Sequence, residues 1–525
     1  MNVNTETLLN YHQRTKHRLE RYANGPANID WDDQPNQFRY FKGCETLRLP
    51  APGQELGVLF RDLDQPSANP NQPVSLANVG LLLELAFGLS AWKQYDGNRW
   101  ALRCNPSSGN LHPTEAYLIS AGHDCISPGV YHYLSHDHAL ERRAQFVEPV
   151  VATDLLVGLS SVHWREAWKY GERAFRYCQH DIGHAIGALR YAAATLGWSV
   201  ELLAEWSDDA VAQWLGLDRS DDFLPEEQEY PDLMCRIHTQ TTHAAGLTQL
   251  PASVWHGKAE SLGARHFYQW SVIETATAAA HKPHTQEPAW LAPALPKLPS
   301  TCLQTAASLI RQRRSAQQFD GTMAAMPLAA FYRIMSAVLP SSLAPFDVWQ
   351  WHAKVHLLLF VHRVEGIVPG VYALPRSAAA LAGLQQALLQ DFDWQAISDS
   401  VPLYHLYTGD CRRIAKTLSC HQAIASDSAF SVAMVAEFAD TVKDAPWQYR
   451  RLFWECGLIG QVLYLEAEAA GYRGTGIGCY FDDSVHEILG ISDGQLQSLY
   501  HFTIGQPLED ARLQTLPAYG HLPPD

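Results

Sequence analysis

Pro106-Ser107-Ser108, Glu115-Ala-Tyr-Leu-Ile-Ser120 and Pro128-Gly129-Val130-Tyr131 follow one another in the first half of the chain. Pro340-Ser341-Ser342, Lys354-Val-His-Leu-Leu-Leu-Phe360 and Pro369-Gly370-Val371-Tyr372 follow one another in the second. An apolar helical stretch precedes each series, at residues 79–92 and 328–339. The same order occurs twice, so the chain carries an internal duplication, and a duplicated unit governs the reading of the whole fold. Farther along, Gly183 and Gly197 find counterparts in Gly457 and Gly471, inside helical stretches at 175–198 and 449–472 where Arg176 matches Arg450 and Asp181 matches Glu455. The offset between copies grows from 241 at Val130/Val371 to 274 at Gly183/Gly457, so the second copy holds about 33 additional residues between these markers.

Long helices beside short strand-like runs, with Pro-Gly turns between them, predict an α+β unit used twice. Two copies in one chain pack as a pseudo-symmetric dimer, and a site at their interface draws residues from both. Pro283, Pro288, Pro293, Pro296 and Pro299 mark a linker at 278–300, because proline removes a backbone donor and fixes φ. The expected division is a first unit at 1–250, a helical and Pro-rich connection at 251–300, and a second unit at 301–525.

With 525 residues, 47% hydrophobic and 18% charged, the composition is that of a multi-core globular chain and excludes extended disorder. A net charge of −16 opposes association with nucleic acid or anionic membranes. Ten cysteines without a C-x-x-C pair match neither a disulfide scaffold nor a structural zinc site. No apolar run reaches membrane-spanning length and no signal peptide opens the chain, so a soluble, cytoplasmic protein is expected.

Four motifs carry chemistry. Arg313-Arg314-Ser315 offers forked, charge-assisted donors suited to a phosphate. Pro106-Ser107-Ser108-Gly109-Asn110 joins a helix to a strand and is rich in hydroxyl and amide groups suited to the polar edge of a planar ring. Gly474-x-Gly476-Ile477-Gly478 permits close backbone approach; it follows a helix and lacks the G-x-G-x-x-G spacing, so it is not a dinucleotide fingerprint. Its alternative is a tight turn after a helix. Lys169-Tyr170 sets an ammonium beside a phenol, whose pKa it can lower.

Together with Phe319-Asp320, Phe481-Asp482 and the opening Tyr11-His12-x-x-Thr15-Lys16-His17, these motifs resemble tandem members of the FMN-dependent nitroreductase superfamily, similar to the SagB-type dehydrogenases that oxidise azolines to azoles in modified peptides. The resemblance implies FMN as cofactor, with Arg313, Arg314 and Ser315 on its phosphate, Pro106, Ser107, Ser108 and Asn110 at its ring, and Gly476, Ile477 and Gly478 beside it. Arg512 resembles the second phosphate-binding cation, its alternative being a surface arginine. Lys169 and Tyr170 resemble the catalytic pair, with Tyr170 as base. Arg103 is a candidate for substrate or a flavin carbonyl, or for pairing with a surface carboxylate.

The halves are complementary. The first lacks Arg-Arg-Ser and the glycine motif, the second lacks the Gly-Asn of the loop, and Lys443-Asp444 replaces Lys169-Tyr170. One composite FMN site per chain is therefore expected, with its twin decayed. The substrate would be a small molecule or a modified peptide. The alternatives are an NAD(P)H-driven nitro or quinone reductase, and a catalytically silent scaffold. No metal is expected: His180 and His184 read as a hydrogen-bonded helix pair and His136-Asp137-His138 as a solvated turn. Cys104 and Cys479, beside the flavin motifs, read as redox-active or as packing residues.

Overall fold

The computed structural model describes residues 2–65, 71–148, 155–239, 247–288, 290–293, 297–492 and 494–523. The runs that repeat in sequence are strands at the same place in two antiparallel sheets. Across the first sheet the order is Ser253–Trp255, Ala139–Phe146, Gly129–Leu134, Thr114–Ser120, Leu155–Ser161, Tyr230–His238 and Ser199–Leu202, with Glu45–Arg48 added beside Ala139–Phe146. Across the second it is Gln395–Ala396, Tyr404–Thr408, Gly370–Leu374, Val355–Val361, Phe430–Glu437, Leu496–Gly505 and Arg473–Ile477. Val355–Val361 is buried at every position, which explains why it is apolar throughout except at His356 instead of alternating.

The duplicated helices Ala174–Thr195 and Gln448–Ala469 cross at the centre. Every residue of the first is buried, the signature of a helix packed on all sides. Glycine is required at the crossing: a Cβ on Gly183 would run into the Trp454 carbonyl oxygen, and one on Gly457 into that of His180. Both pairs are related by the offset of 274, so the contact is self-complementary, as at a two-fold axis. Two ion pairs obey the same relation, Arg176 to Asp482 at 2.7 Å and Arg450 to Asp208 at 2.7 Å.

The tails do not respect the expected division. Helix Val3–Arg14 lies on the second half, where Thr5 Oγ1 donates to the Lys443 carbonyl at 2.9 Å, and beyond it Lys16 pairs with Asp483 at 2.8 Å. The C-terminal strand Gln514–Leu516 pairs with Leu89–Tyr95 of the first half, and Tyr519 Oη accepts from Leu89 N at 2.8 Å. The connection also begins later than 251, because Ser253–Trp255 and Lys258–Ala259 complete strand pairings of the first half. Helix Ser271–Ala279 follows, then an irregular stretch in which Pro296 lies outside the described residues.

Two local expectations change. The Gly474–Gly478 motif is no loop: Arg473–Ile477 is the edge strand of its sheet, at the place that Ser199–Leu202 holds in the other copy. His138 is buried against the Tyr133 hydroxyl at 2.9 Å, so the turn at 136–138 is only partly solvated. Among the described residues, no helix is long and apolar enough to cross a membrane.

Candidate functional site

A cavity of about 410 Å³ opens between the halves and is lined by both, within the range of small-molecule clefts. The loop Pro106–Asn110 lines it together with Arg313, Arg314 and Ser315. Gly476, Ile477 and Gly478 line it beside Tyr177, Asp181 and His184 of the buried helix.

The loop is held in shape from within. Asp181 accepts from Ser108 N at 3.0 Å and from Ser108 Oγ at 2.9 Å. Ser107 Oγ accepts from His112 N at 2.8 Å, and Asn110 Nδ2 donates to the Ala101 carbonyl at 2.9 Å. The hydroxyl and amide groups expected to face a ring edge are thus engaged in building the loop. Gly109 has φ of 58° and lies where any Cβ would collide with the Tyr170 hydroxyl, so both backbone and space demand glycine there.

Burial lifts the Asp181 carboxyl to about 7 against the lowering effect of its hydrogen bonds from Ser107 and Ser108. The Tyr170 phenol lines the cavity, and burial raises its pKa well above the usual value, with Glu166, Tyr177 and Asp181 adding to the rise. The expectation that Lys169 lowers it is therefore corrected. Lys169 lies outside the cavity lining, with Nζ over the face of the Tyr170 ring at 5.3 Å and of Trp31 at 5.5 Å. Desolvation of the phenol dominates, and it leaves Tyr170 a neutral hydroxyl.

Cations share the same lining. Arg313 is buried, with Nη2 donating to the Arg103 carbonyl at 3.1 Å, its guanidinium 4.9 Å from the Tyr464 ring centre and its Nε without a partner. Arg314 donates only to carbonyls, those of Arg311, Arg313 and Ser90. Among the described residues neither has a carboxylate within 4.0 Å. Burial lowers both pKa values, that of Arg314 to about 10 with Arg313 contributing. Two further cations line this end and were missed in the sequence, Lys93 and Arg473. Arg473 pairs with Glu509 at the rim, and its one sequence signal is its place directly before the glycine motif. Ser315 Oγ shares a 2.8 Å hydrogen bond with Tyr464 Oη.

Other expected residues take different roles. Arg512 points away from the cavity, exposed and paired with Asp510 at 2.7 Å. Arg103 reaches the cavity but is buried, its guanidinium donating to the Gln37 and Thr114 carbonyls, so no surface carboxylate is involved. Gly476 N donates to Tyr464 Oη at 2.9 Å instead of facing the cavity; a Cβ there would strike the Tyr500 hydroxyl, and one on Gly478 the Tyr177 ring. His180 bonds the Leu499 carbonyl at 3.0 Å and His184 the Tyr500 hydroxyl at 3.1 Å, as a hydrogen-bonded pair. Cys104 is buried, its thiol pushed up to about 12 by desolvation.

Fold and site together describe a two-copy α+β chain with one cationic cleft at its pseudo-dimer interface. Residues 310–506 match the model of the Nitroreductase family, so the second half carries a nitroreductase-family domain. A solved candidate nitroreductase from Anabaena variabilis ATCC 29413 superposes with a TM-score of 0.70 at 20% identity, covering 96% of this chain and 99% of that one. The tandem arrangement is thus shared over nearly the full length. A curated candidate nitroreductase from Methanocaldococcus jannaschii is 21% identical over 179 residues, 32% of this chain and 82% of that protein.

Proposed function

We propose that the chain is an FMN-dependent oxidoreductase with one flavin per chain, working as a dehydrogenase of the SagB type on a small molecule or modified peptide. The observation that carries the reading is the pair of guanidiniums lining the cavity, Arg313 buried and Arg314 half-buried, neither with a carboxylate within 4.0 Å among the described residues. An isolated cation in a desolvated site is costly, and a phosphate of about two negative charges would relieve it through charge-assisted hydrogen bonds. The residues present therefore fit FMN, with Arg473 and Lys93 as supporting cations and the Pro106–Asn110 loop in the same lining. When bound, FMN would supply the two-electron redox chemistry.

The chain's own groups orient substrate and handle protons. Asp181, with its carboxyl near 7, can take or give a proton at neutral pH. Tyr170, a neutral phenol at the cavity wall, is suited to hydrogen-bond the substrate atom that changes charge. The test is the visible spectrum of the purified protein with flavin counted after denaturation, where about one FMN per chain is expected and a chain colourless even after incubation with FMN would defeat the reading. Tyr170→Phe should keep its flavin and lose turnover by about 10²-fold or more. Unchanged turnover would remove Tyr170 from the reaction.

A further inference from the structure

Of the ten cysteines, Cys420 and Cys479 are brought together by contacts that only the tertiary structure makes. Phe481 N donates to the Leu418 carbonyl at 2.9 Å. That contact holds the turn after helix Arg412–Leu418, which carries Cys420, beside the segment that carries Cys479. Gln422 fastens the same turn, its Nε2 donating to the Cys479 carbonyl at 3.2 Å and to that of Ser419 at 2.9 Å. Both cysteines are partly exposed, and Cys479 lines the cavity between the halves.

The turn is strained: Cys420 and His421 adopt φ of 51° and 60°, two consecutive non-glycine residues in the left-handed region. Such strain collects at functional positions. Interaction between the two thiols lowers the pKa of Cys479 and raises that of Cys420. The Arg173 guanidinium also favours the Cys479 thiolate; its Nη2 donates to the neighbouring Gly478 carbonyl at 3.1 Å. Every other cysteine has its thiol pushed up by burial.

We propose that Cys420 and Cys479 are a thiol–disulfide exchange site at the cavity wall, taking low-molecular-weight disulfides of the cystine or glutathione-disulfide class. The Cys479 thiolate attacks one sulfur of the small disulfide, forming a mixed disulfide and releasing one thiolate. Cys420 then gives up its proton and attacks the Cys479 sulfur, closing a Cys420–Cys479 bond and releasing the second thiolate. Two protein thiols are oxidised, one small disulfide is reduced to two thiols, and the two protons end on the products. The exchange itself needs no cofactor, and Cys479 carries it out from the wall of the cavity assigned to the flavin.

The test uses the full chain as purified, reduced and freed of reductant, then exposed to glutathione disulfide. Remaining thiols are alkylated and the peptides mapped by mass spectrometry. A Cys420–Cys479 bridge should form about tenfold faster than any modification of the partly exposed Cys44 or Cys125. Cys420→Ser should stop at a mixed disulfide on Cys479, while Cys479→Ser should leave Cys420 largely unmodified. Preferential labelling of Cys44 or Cys125, or no adduct on Cys479 in Cys420→Ser, would overturn the proposal.

Discussion

The cavity and its pseudo-symmetric counterpart begin from equivalent helices and end differently. At the cavity, Tyr177 and Asp181 face open space and no cation pairs with Asp181 within 4.0 Å among the described residues. At the counterpart, 274 residues on, Arg451 and Glu455 stand in their place. Arg451 Nη2 pairs with Glu287 of the proline-rich connection at 2.5 Å, and its guanidinium lies 3.8 Å from the Trp351 ring centre. Trp351 Nε1 also donates to Glu287 at 2.9 Å, and Glu455 pairs with Arg376 while accepting from Lys354 N at 3.0 Å. Trp198, directly before the edge strand, is fully buried there. Duplication thus left one interface hollow and the other plugged by the segment that joins the copies.

The largest effect should come from emptying the cationic end. Charge-assisted hydrogen bonds contribute about 1.5–3 kcal/mol each, so Arg313→Ala with Arg314→Ala should weaken FMN retention by roughly 10²–10⁴-fold. Arg451→Ala, on the plugged side, should leave the flavin-to-chain ratio unchanged. Equal loss in both would erase the distinction between the two interfaces.

Next in size are the paired aspartates. Asp482 holds both Arg173 and Arg176, whereas Asp208 holds Arg450. Removing one partner of a buried ion pair costs about 3–5 kcal/mol, so Asp482→Ala should lower the denaturation midpoint more than Asp208→Ala. A smaller loss is expected for Glu287→Ala, about 1–3 kcal/mol from the Arg451 and Trp351 donors it strands, without the appearance of a second flavin equivalent. A second equivalent in that variant would show that the connection alone closes the twin site.

The smallest effect is a pH signature. Asp181 ionises at about 7 in the folded chain against an ordinary value of 3.8, so the folded state binds its proton more tightly. Its contribution to stability is favourable at low pH and is lost as pH rises from about 4 to about 7. Asp181→Asn should therefore gain stability relative to the native chain above pH 7 and gain nothing near pH 4. Thermal unfolding at the two pH values measures it.

The duplication and the gathering of Arg313, Arg314 and the Pro106–Asn110 loop at one cavity were legible because they rest on repeated order and on residue type. Pro-Gly-Val-Tyr occurs twice, and Arg313-Arg314 has a chemistry of its own wherever it is placed. The roles of individual groups were less legible. Tyr170 reads as an activated base from its neighbour Lys169, yet burial governs its proton. Arg512 reads as a phosphate cation from its position near the C-terminus, yet Asp510 holds it outside. Lys93 carried no local pattern and Arg473 only its place before the glycine motif; they line the cavity from strands of opposite halves.

By itself the sequence determined that this chain is two copies of one α+β unit and that Arg-Arg-Ser, Pro-Ser-Ser-Gly-Asn and Gly-x-Gly-x-Gly occur once each, since apolar periodicity and residue chemistry are local properties. The tertiary structure decided the rest: the exchanged tails, the linker that fills the twin site, the carboxyl near 7 and the apposition of Cys420, carried by helix Arg412–Leu418 and the turn after it, with Cys479. Those features depend on burial and on contacts between residues hundreds of positions apart, and desolvation is a property of where a group ends up, not of what it is.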